Sequence, residues 1–196
     1  ENSRLGGARM EKRLEVPLRA AVEFLEEHGY RYALIGGIAV AQWGFVRVTR
    51  DVDIKVLVPD TEYPAARAAL RAAFPEPART HVPRNPLIVA VTIEGVIVDF
   101  LLALPGYEEQ IIERAVRRNL NGFSAWVCSA EDLIIQKAVA GRGQDWQDIE
   151  GLLIEQHGKL DEAYIEDWLG QFAEALDKPE ILSPYRDLQA RIKSVR

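Results

Sequence analysis

The stretch of sequence that decides the fold is YALIGGIAVAQWGFVRVTRDVDIKVLV, residues 32–58. Its last part is a run of β-branched residues that contains two acids, Asp51 and Asp53, which is the pattern of a pleated strand. Side chains two positions apart on a strand share a face, so the two carboxylates project together while the alternate side chains face a core. Carboxylates this close repel each other unless a cation lies between them. The strand therefore indicates a divalent metal site.

A glycine pair precedes this strand. Residues 32–35 predict a short strand, Gly36 and Gly37 a turn, and residues 38–44 a short helix. A turn of this kind presents backbone N–H groups and the positive end of a helix to its surroundings, which suits phosphate. Glycine pairs also make ordinary tight turns, so the phosphate interpretation depends on the acids that follow.

The rest of the chain predicts an α/β core followed by helices. The segments LIVAVTI and VIVDFLL, joined by a turn at Glu94-Gly95, predict a β-hairpin in which Asp99 is a third strand acid. Near residue 80 lies a Pro-rich loop that carries Arg79, His81 and Arg84. Apart from a strand signal in SAWVC, residues 124–128, the other predicted elements are helices at Met10–Gly29, Thr61–Phe74, Tyr107–Arg118, Ala130–Val139, Asp145–Gln156, Asp161–Leu176 and Pro184–Val195.

These elements predict an α+β fold, in which a mixed β-sheet is flanked by helices and followed by a helical C-terminal region. Residues 1–9 form a polar leader before Met10, the single methionine, and are predicted to be an expression remnant. Residues 10–120 are predicted to form the α/β core. Residues 121–196 are predicted to form the helical region.

Composition excludes several classes of protein. With 24 Lys and Arg against 30 Asp and Glu, the net charge of -6 gives no overall basic surface for non-specific nucleic-acid binding. A single cysteine, Cys128, excludes an intramolecular disulfide and is predicted to be a small buried residue of a cytoplasmic protein. No apolar run is long enough to span a bilayer, so no membrane partner is expected. The three histidines lack the paired spacing of zinc ligands.

The glycine pair followed by Arg47-x-Thr49-x-Asp51-x-Asp53 resembles the signature of the nucleotidyltransferase (polymerase-beta-like) superfamily. It is most similar to the minimal, abortive-infection-type members, the AbiEii-like group. Residues 131–149, EDLIIQKAVAGRGQDWQDI, resemble the helix that follows in those proteins. One departure is Gly37, where much of the superfamily has serine.

The resemblance implies a reaction and a set of residues. Asp51, Asp53 and Asp99 would be the catalytic acids and would hold two Mg²⁺ ions. The substrate would be an NTP, such as ATP, whose α-phosphorus is attacked by a hydroxyl, so that a nucleoside monophosphate is transferred and pyrophosphate leaves. The implied nucleotide-binding residues are Gly36, Gly37, Arg47, Thr49, Arg50, Lys137 and Asp148.

Each candidate also has a structural explanation. Asp51 and Asp53 could be solvent-facing acids that protect an edge strand from aggregation. Asp99 could pair with Arg47 or Arg50. Lys137 could be a surface lysine on a helix that Ser129 caps through a capping box with Asp132, and Asp145 could be the N-cap of the next helix.

The sequence does not identify the molecule that carries the acceptor hydroxyl. In the toxin-like group it would belong to tRNA or a protein, and a cognate antitoxin would be a partner. A second possibility is a small hydroxylated molecule such as an aminoglycoside-like antibiotic. The third is a catalytically silent member that serves as a binding module, against which the presence of all three acids argues.

Overall fold

A computed structural model describes residues 12–77 and 85–195 of the protein. The predicted expression remnant at residues 1–9 lies outside the described residues, as do Arg79, His81 and Arg84 of the Pro-rich loop.

The centre of the fold is a mixed sheet of six strands: β1 Arg31–Ile35, β2 Asp51–Leu57, β3 Ile88–Ile93, β4 Val96–Leu102, β5 Val116–Leu120 and β6 Phe123–Val127. Their order in the sheet is β3-β4-β2-β1-β6-β5. Strands β1 and β2 are antiparallel, whereas β2 and β4 are parallel, as are β1 and β6. This architecture confirms the predicted α+β class.

Helices cover the sheet and follow it along the chain. The apolar residues of α1 recur at helical spacing, and Leu14, Leu18 and Leu25 are buried against the sheet. Opposite them, every second residue of β2 is buried, as Val52, Ile54 and Val56 are. The helices are α1 Lys12–Glu27, α2 Gly36–Gln42, α3 Tyr63–Ala73, α4 Tyr107–Glu113, α5 Ala130–Ala140, α6 Gly143–Glu155, α7 Glu162–Ala175 and α8 Leu182–Val195.

The chain divides into two compact units. The first consists of residues 12–39 and 47–128 and contains the sheet, α1, α3 and α4. The second consists of residues 40–46 and 129–195 and contains α5 to α8, whose buried residues include Leu152, Ile165 and Tyr185.

The prediction of one helix over Tyr107–Arg118 is wrong beyond Glu113. The helix α4 ends there, and residues 116–120 form β5, which pairs with the predicted strand near SAWVC, now β6. The turn between them explains the error, because Asn121 and Gly122 both have positive φ, at 51° and 94°. An Asn-Gly turn of this type is a strong hairpin signal that the helical interpretation overlooked.

The prediction of a turn at Gly36 and Gly37 is wrong, because both residues already belong to α2. The other predicted elements are confirmed within a few residues at their ends. The β3–β4 hairpin turns at Glu94 and Gly95, which also have positive φ, at 49° and 75°. Cys128 is fully buried, as predicted. No helix in the described part of the chain combines the length and the apolar character needed to cross a membrane.

The β5–β6 turn yields a stability test. At Gly122 a Cβ would meet nothing within 4 Å, so Gly122→Ala changes only the backbone preference. We expect it to lower the free energy of unfolding by about 1–2 kcal/mol, because φ is positive there. Gly170, inside α7 and with equal space, is the control: Gly170→Ala should raise it by roughly 0.5–1 kcal/mol. Urea denaturation measures both, and equal effects of the two variants would contradict the turn assignment.

Candidate active site

The three strand acids lie together because of strand register. In the parallel pairing of β2 with β4, Asp53 lies opposite Asp99, and Asp51 lies two pairs further along, opposite Ile97. The neighbouring residues Val52 and Val98 are fully buried on the other face. Alternation therefore places all three carboxylates on one face of the sheet.

The edge-strand explanation for Asp51 and Asp53 is excluded by the topology. Strand β2 lies inside the sheet and is paired on one side with β1 and on the other with β4. An acid on an inner strand does not block the pairing of another chain. The two acids therefore need another explanation.

Gly36 begins α2 directly at the end of β1, and it fits closely against Asp53. A Cβ at Gly36 would lie 2.1 Å from Oδ2 of Asp53, and the φ of Gly36 is 65°, which favours glycine. The register explains this approach, since Ile35 is the partner of Asp53 across the β1–β2 pair. The glycine at the start of α2 thus lies against the carboxylate of Asp53.

Gly37 fits in the same way against Thr49. A Cβ at Gly37 would lie 2.6 Å from Oγ1 and 2.8 Å from Cβ of Thr49, and 3.2 Å from a guanidinium nitrogen of Arg47. This packing gives a physical reason for the departure at Gly37, because a serine there would need Thr49 to move. The hydroxyl group at this point of the site is that of Thr49.

Thr49 also contacts the acids directly. Its hydroxyl donates a hydrogen bond to Oδ1 of Asp51 at 3.1 Å. Thr49 is 9% exposed although it precedes the strand. Arg47, the residue predicted to bind phosphate, donates to the carbonyl of Val48 at 3.1 Å, whereas Arg50 is exposed to solvent. The structure therefore brings together Gly36, Gly37, Arg47, Thr49, Asp51, Asp53 and Asp99, while Arg50 lies next to Asp51 in the chain.

The donor set fits magnesium. The side chains of Asp51, Asp53 and Asp99 offer only oxygen, which is the ligand that Mg²⁺ prefers. Within residues 12–77 and 85–195, no three His, Cys, Asp or Glu side chains form a preformed metal cluster. Mg²⁺ is usually bound through one or two carboxylates together with substrate phosphates.

Lys55 is a residue of this face that the sequence reasoning missed. It lies two positions after Asp53, so it belongs to the face of the acids, and it is only 4% exposed. Its ammonium group forms an ion pair with Glu108 of α4, and the other oxygen of Glu108 accepts a hydrogen bond from the Leu104 amide at 2.7 Å. A lysine within an apolar strand was the available signal, since a buried ammonium group requires a partner.

Lys137 and Asp148 pair with each other inside the second unit. The ammonium group of Lys137 lies 2.6 Å from Oδ2 of Asp148 and 3.4 Å from Oδ1 of Asp145. Lys137 is 6% exposed and Asp148 is fully buried, so the surface-lysine explanation is wrong. The capping of this helix is confirmed, because Ser129 accepts a hydrogen bond from the amide of Asp132.

The prediction that Asp145 is the N-cap of α6 is wrong. The N-cap is Arg142, and Asp145 lies three residues later, where its carboxylate accepts hydrogen bonds from the backbone and the guanidinium group of Arg142. Burial alone would raise the pKa of Asp145, but the hydrogen bond from Arg142 and the charges of Lys137 and Arg142 lower it below its ordinary value. Asp145, the third residue of α6, therefore accepts hydrogen bonds from the N-cap residue Arg142.

Comparison with known proteins gives the family to which the chain belongs. Residues 15–182 match the model of a family described as nucleotidyl transferase of unknown function (DUF2204). A search of curated proteins found no match.

Among solved structures, an antigenic nucleotidyltransferase-like protein from Paracoccidioides brasiliensis is similar, with a TM-score of 0.50 and 18% identity over 89% of this chain and 91% of that one. The antibiotic-resistance factor ANT(2'')-Ia matches with a TM-score of 0.47 and 13% identity, over 94% of this chain and 96% of that one. A second structure of ANT(2")-Ia, in complex with adenylyl-2"-tobramycin, gives a TM-score of 0.46 and 14% identity, over 91% and 98% of the two chains.

The six-stranded mixed sheet flanked by helices is the nucleotidyltransferase type of fold. Because the family model covers most of the chain, the protein belongs to the nucleotidyl transferase family DUF2204 and is a nucleotidyltransferase.

The contact between Gly37 and Thr49 predicts a compensating pair of substitutions. Gly37→Ser places a Cβ within 3.0 Å of both Cβ and Oγ1 of Thr49, so we expect a loss of about 1–3 kcal/mol in the free energy of unfolding. Thr49→Gly removes both atoms, and the double variant should recover most of the loss that Gly37→Ser causes in the Thr49 background. Chemical denaturation of the four proteins measures this coupling, and purely additive effects would show that the two residues do not clash.

The buried pair in the second unit predicts a large effect of removing its cation. Lys137→Met leaves two buried carboxylates without the ammonium group, which should cost about 3–5 kcal/mol of unfolding free energy. Lys193 is the matched control. Its ammonium group lies 2.7 Å from a carboxylate oxygen of Glu162, and both side chains are more than 40% exposed. Lys193→Met should cost under about 1 kcal/mol. Similar losses in the two variants would contradict the structural role of Lys137.

Proposed function

We propose that this nucleotidyltransferase is Mg²⁺-dependent and transfers a nucleoside monophosphate from an NTP to a hydroxyl acceptor. The observation that carries the proposal is the β2–β4 register, which sets Asp53 beside Asp99 with Asp51 on the same face. Gly36, at the start of α2, lies against the carboxylate of Asp53. A binding module has no need to hold three like charges at adjacent positions, where they repel each other.

The residues divide the chemistry between them. Asp51, Asp53 and Asp99 supply the negative charge that gathers cations at the reacting phosphate. When bound there, Mg²⁺ supplies Lewis acidity toward the phosphate oxygens and lowers the pKa of the attacking hydroxyl. The backbone N–H groups at the start of α2, which begins with Gly36 and Gly37, would be the donors to the phosphates. Catalysis of this kind consists mainly of positioning and charge stabilisation.

The finer parts of the assignment are supported by the resemblance alone. They are ATP as donor, a tRNA or protein acceptor, and a cognate antitoxin as partner. Roles for Arg47 and Arg50 as phosphate ligands agree with their place beside Asp51 in the chain. Nucleotide contacts by Lys137 and Asp148 remain predictions, since their described partners are each other and Asp145.

A transfer assay tests the proposal. The protein is incubated with each labelled NTP, Mg²⁺ and either total RNA or whole-cell extract, and the labelled product is identified. Asp53→Asn and Asp99→Asn should each lower transfer by about 10²-fold or more, as expected for the loss of a charge that acts on the transition state. Glu94→Gln removes one charge from the turn of the same β3–β4 hairpin and should leave transfer unchanged. Equal activity of all three variants would refute the assignment.

Stability in EDTA separates a metal ligand from a structural ion pair at Asp99. If Asp99 joins a row of repelling acids, Asp99→Asn should leave the metal-free protein at least as stable as the wild type. If Asp99 instead neutralises a buried arginine, the same change should cost about 3–5 kcal/mol. A strongly destabilised variant that still transfers nucleotide would overturn the metal assignment.

A further inference from the structure

We infer that Arg13, near the start of α1, is a positioning residue of the active site and acts on Asp51 through Thr49. The guanidinium group of Arg13 donates a hydrogen bond to the backbone carbonyl of Thr49 at 2.8 Å, across 36 positions of the sequence. The inference rests on the proposed function, because it assigns Arg13 to the carboxylates that would bind the metal.

The segment that Arg13 holds needs support from outside. Residues 45–50 have no regular secondary structure, and they lead directly into Asp51, the first residue of β2. A buried backbone carbonyl outside a sheet or helix requires another hydrogen-bond donor, and Thr49 is only 9% exposed. Its carbonyl accepts from Arg13, while the carbonyl of the exposed Val48 accepts from Arg47.

The position of Thr49 determines two parts of the site at once. Its hydroxyl donates to Oδ1 of Asp51 at 3.1 Å, and the same oxygen occupies the space beside Gly37, 2.6 Å from where a Cβ would be. A rotation of the Thr49 peptide would therefore change the distances from the hydroxyl to Asp51 and to Gly37. By fixing the carbonyl of that residue, Arg13 fixes the hydroxyl.

Arg13 is itself held by the docking of α1. The next residue, Leu14, is 1% exposed, and Leu18, one turn further on, is fully buried. The backbone of Arg13 therefore has a fixed place at the edge of the core. The guanidinium group of this exposed residue connects α1 to Thr49 through the hydrogen bond to the carbonyl.

Because Arg13 is positively charged, two explanations of its role can be separated by the direction in which cation binding changes when it is removed. If Arg13 influenced the site only through its positive charge, then removing it would strengthen the binding of a cation by the neighbouring carboxylates. If it positions Asp51 through Thr49, removing it should weaken cation binding. The two explanations predict opposite changes.

The experiment measures binding of Mn²⁺ alone to the metal-free protein by electron paramagnetic resonance. Arg13→Met keeps an unbranched stem but removes the donor, and we expect it to raise the Kd for Mn²⁺ by about threefold to tenfold, the effect of one hydrogen bond. Thr49→Val removes the hydroxyl donor to Asp51 and should have a similar effect. Arg19→Met, which removes a charge from the same helix, is the control and should leave the Kd unchanged.

The double variant Arg13→Met/Thr49→Val decides whether the two residues act in series. If Arg13 acts through the Thr49 hydroxyl, the double variant should bind Mn²⁺ no more weakly than the weaker single variant. Multiplied effects, a tighter Kd in Arg13→Met, or an unchanged Kd in Arg13→Met would each overturn the inference and leave the proposed function standing. A wild-type protein that binds Mn²⁺ no better than Asp53→Asn would overturn the proposed function, and with it this inference. Melting curves of every variant confirm that the compared proteins are folded.

Discussion

The parallel pairing of β2 with β4 is the constraint on which the site depends. Backbone hydrogen bonds set Asp53 beside Asp99, and the burial of Val52 and Val98 on the other face prevents either strand from slipping by one residue. A slip would send the carboxylates into the core. The sheet thus holds like charges together at a cost that hydrophobic burial on its opposite face offsets.

The residues around the carboxylates form one packed unit with little tolerance for change. Gly36 lacks a Cβ where the carboxylate of Asp53 lies, and Gly37 lacks one where Thr49 lies. Thr49 in turn is bonded to Asp51. The motif is therefore a set of complementary shapes, and a substitution common elsewhere in the superfamily, such as serine at the second glycine, fits only with a compensating change at Thr49.

Ion pairs with a buried lysine connect elements in both units. In the first unit, Lys55 of β2 pairs with Glu108 of α4, on the face that carries the acids. In the second, Lys137 of α5 pairs with Asp148 of α6. Breaking such a pair strands an uncompensated charge, although its net contribution to stability is small when both partners are present. Their clearest effect is to specify which helix or strand packs on which.

Local pattern alone determined the strand of Asp51 and Asp53, the β3–β4 hairpin and most of the helices, whereas the class of the protein was indicated by the resemblance of its motif to a known superfamily. These features repeat every two or every 3.6 residues, so a short window of sequence is enough to reveal them. The strand at residues 116–120 was also signalled locally, by the Asn121-Gly122 turn that follows it. Only the tertiary structure decided that Lys137 is buried and that Arg13 reaches Thr49. Each of these depends on a partner outside that window, on the next helix or 36 positions away, and packing selects such a partner without leaving a periodic signal in the sequence.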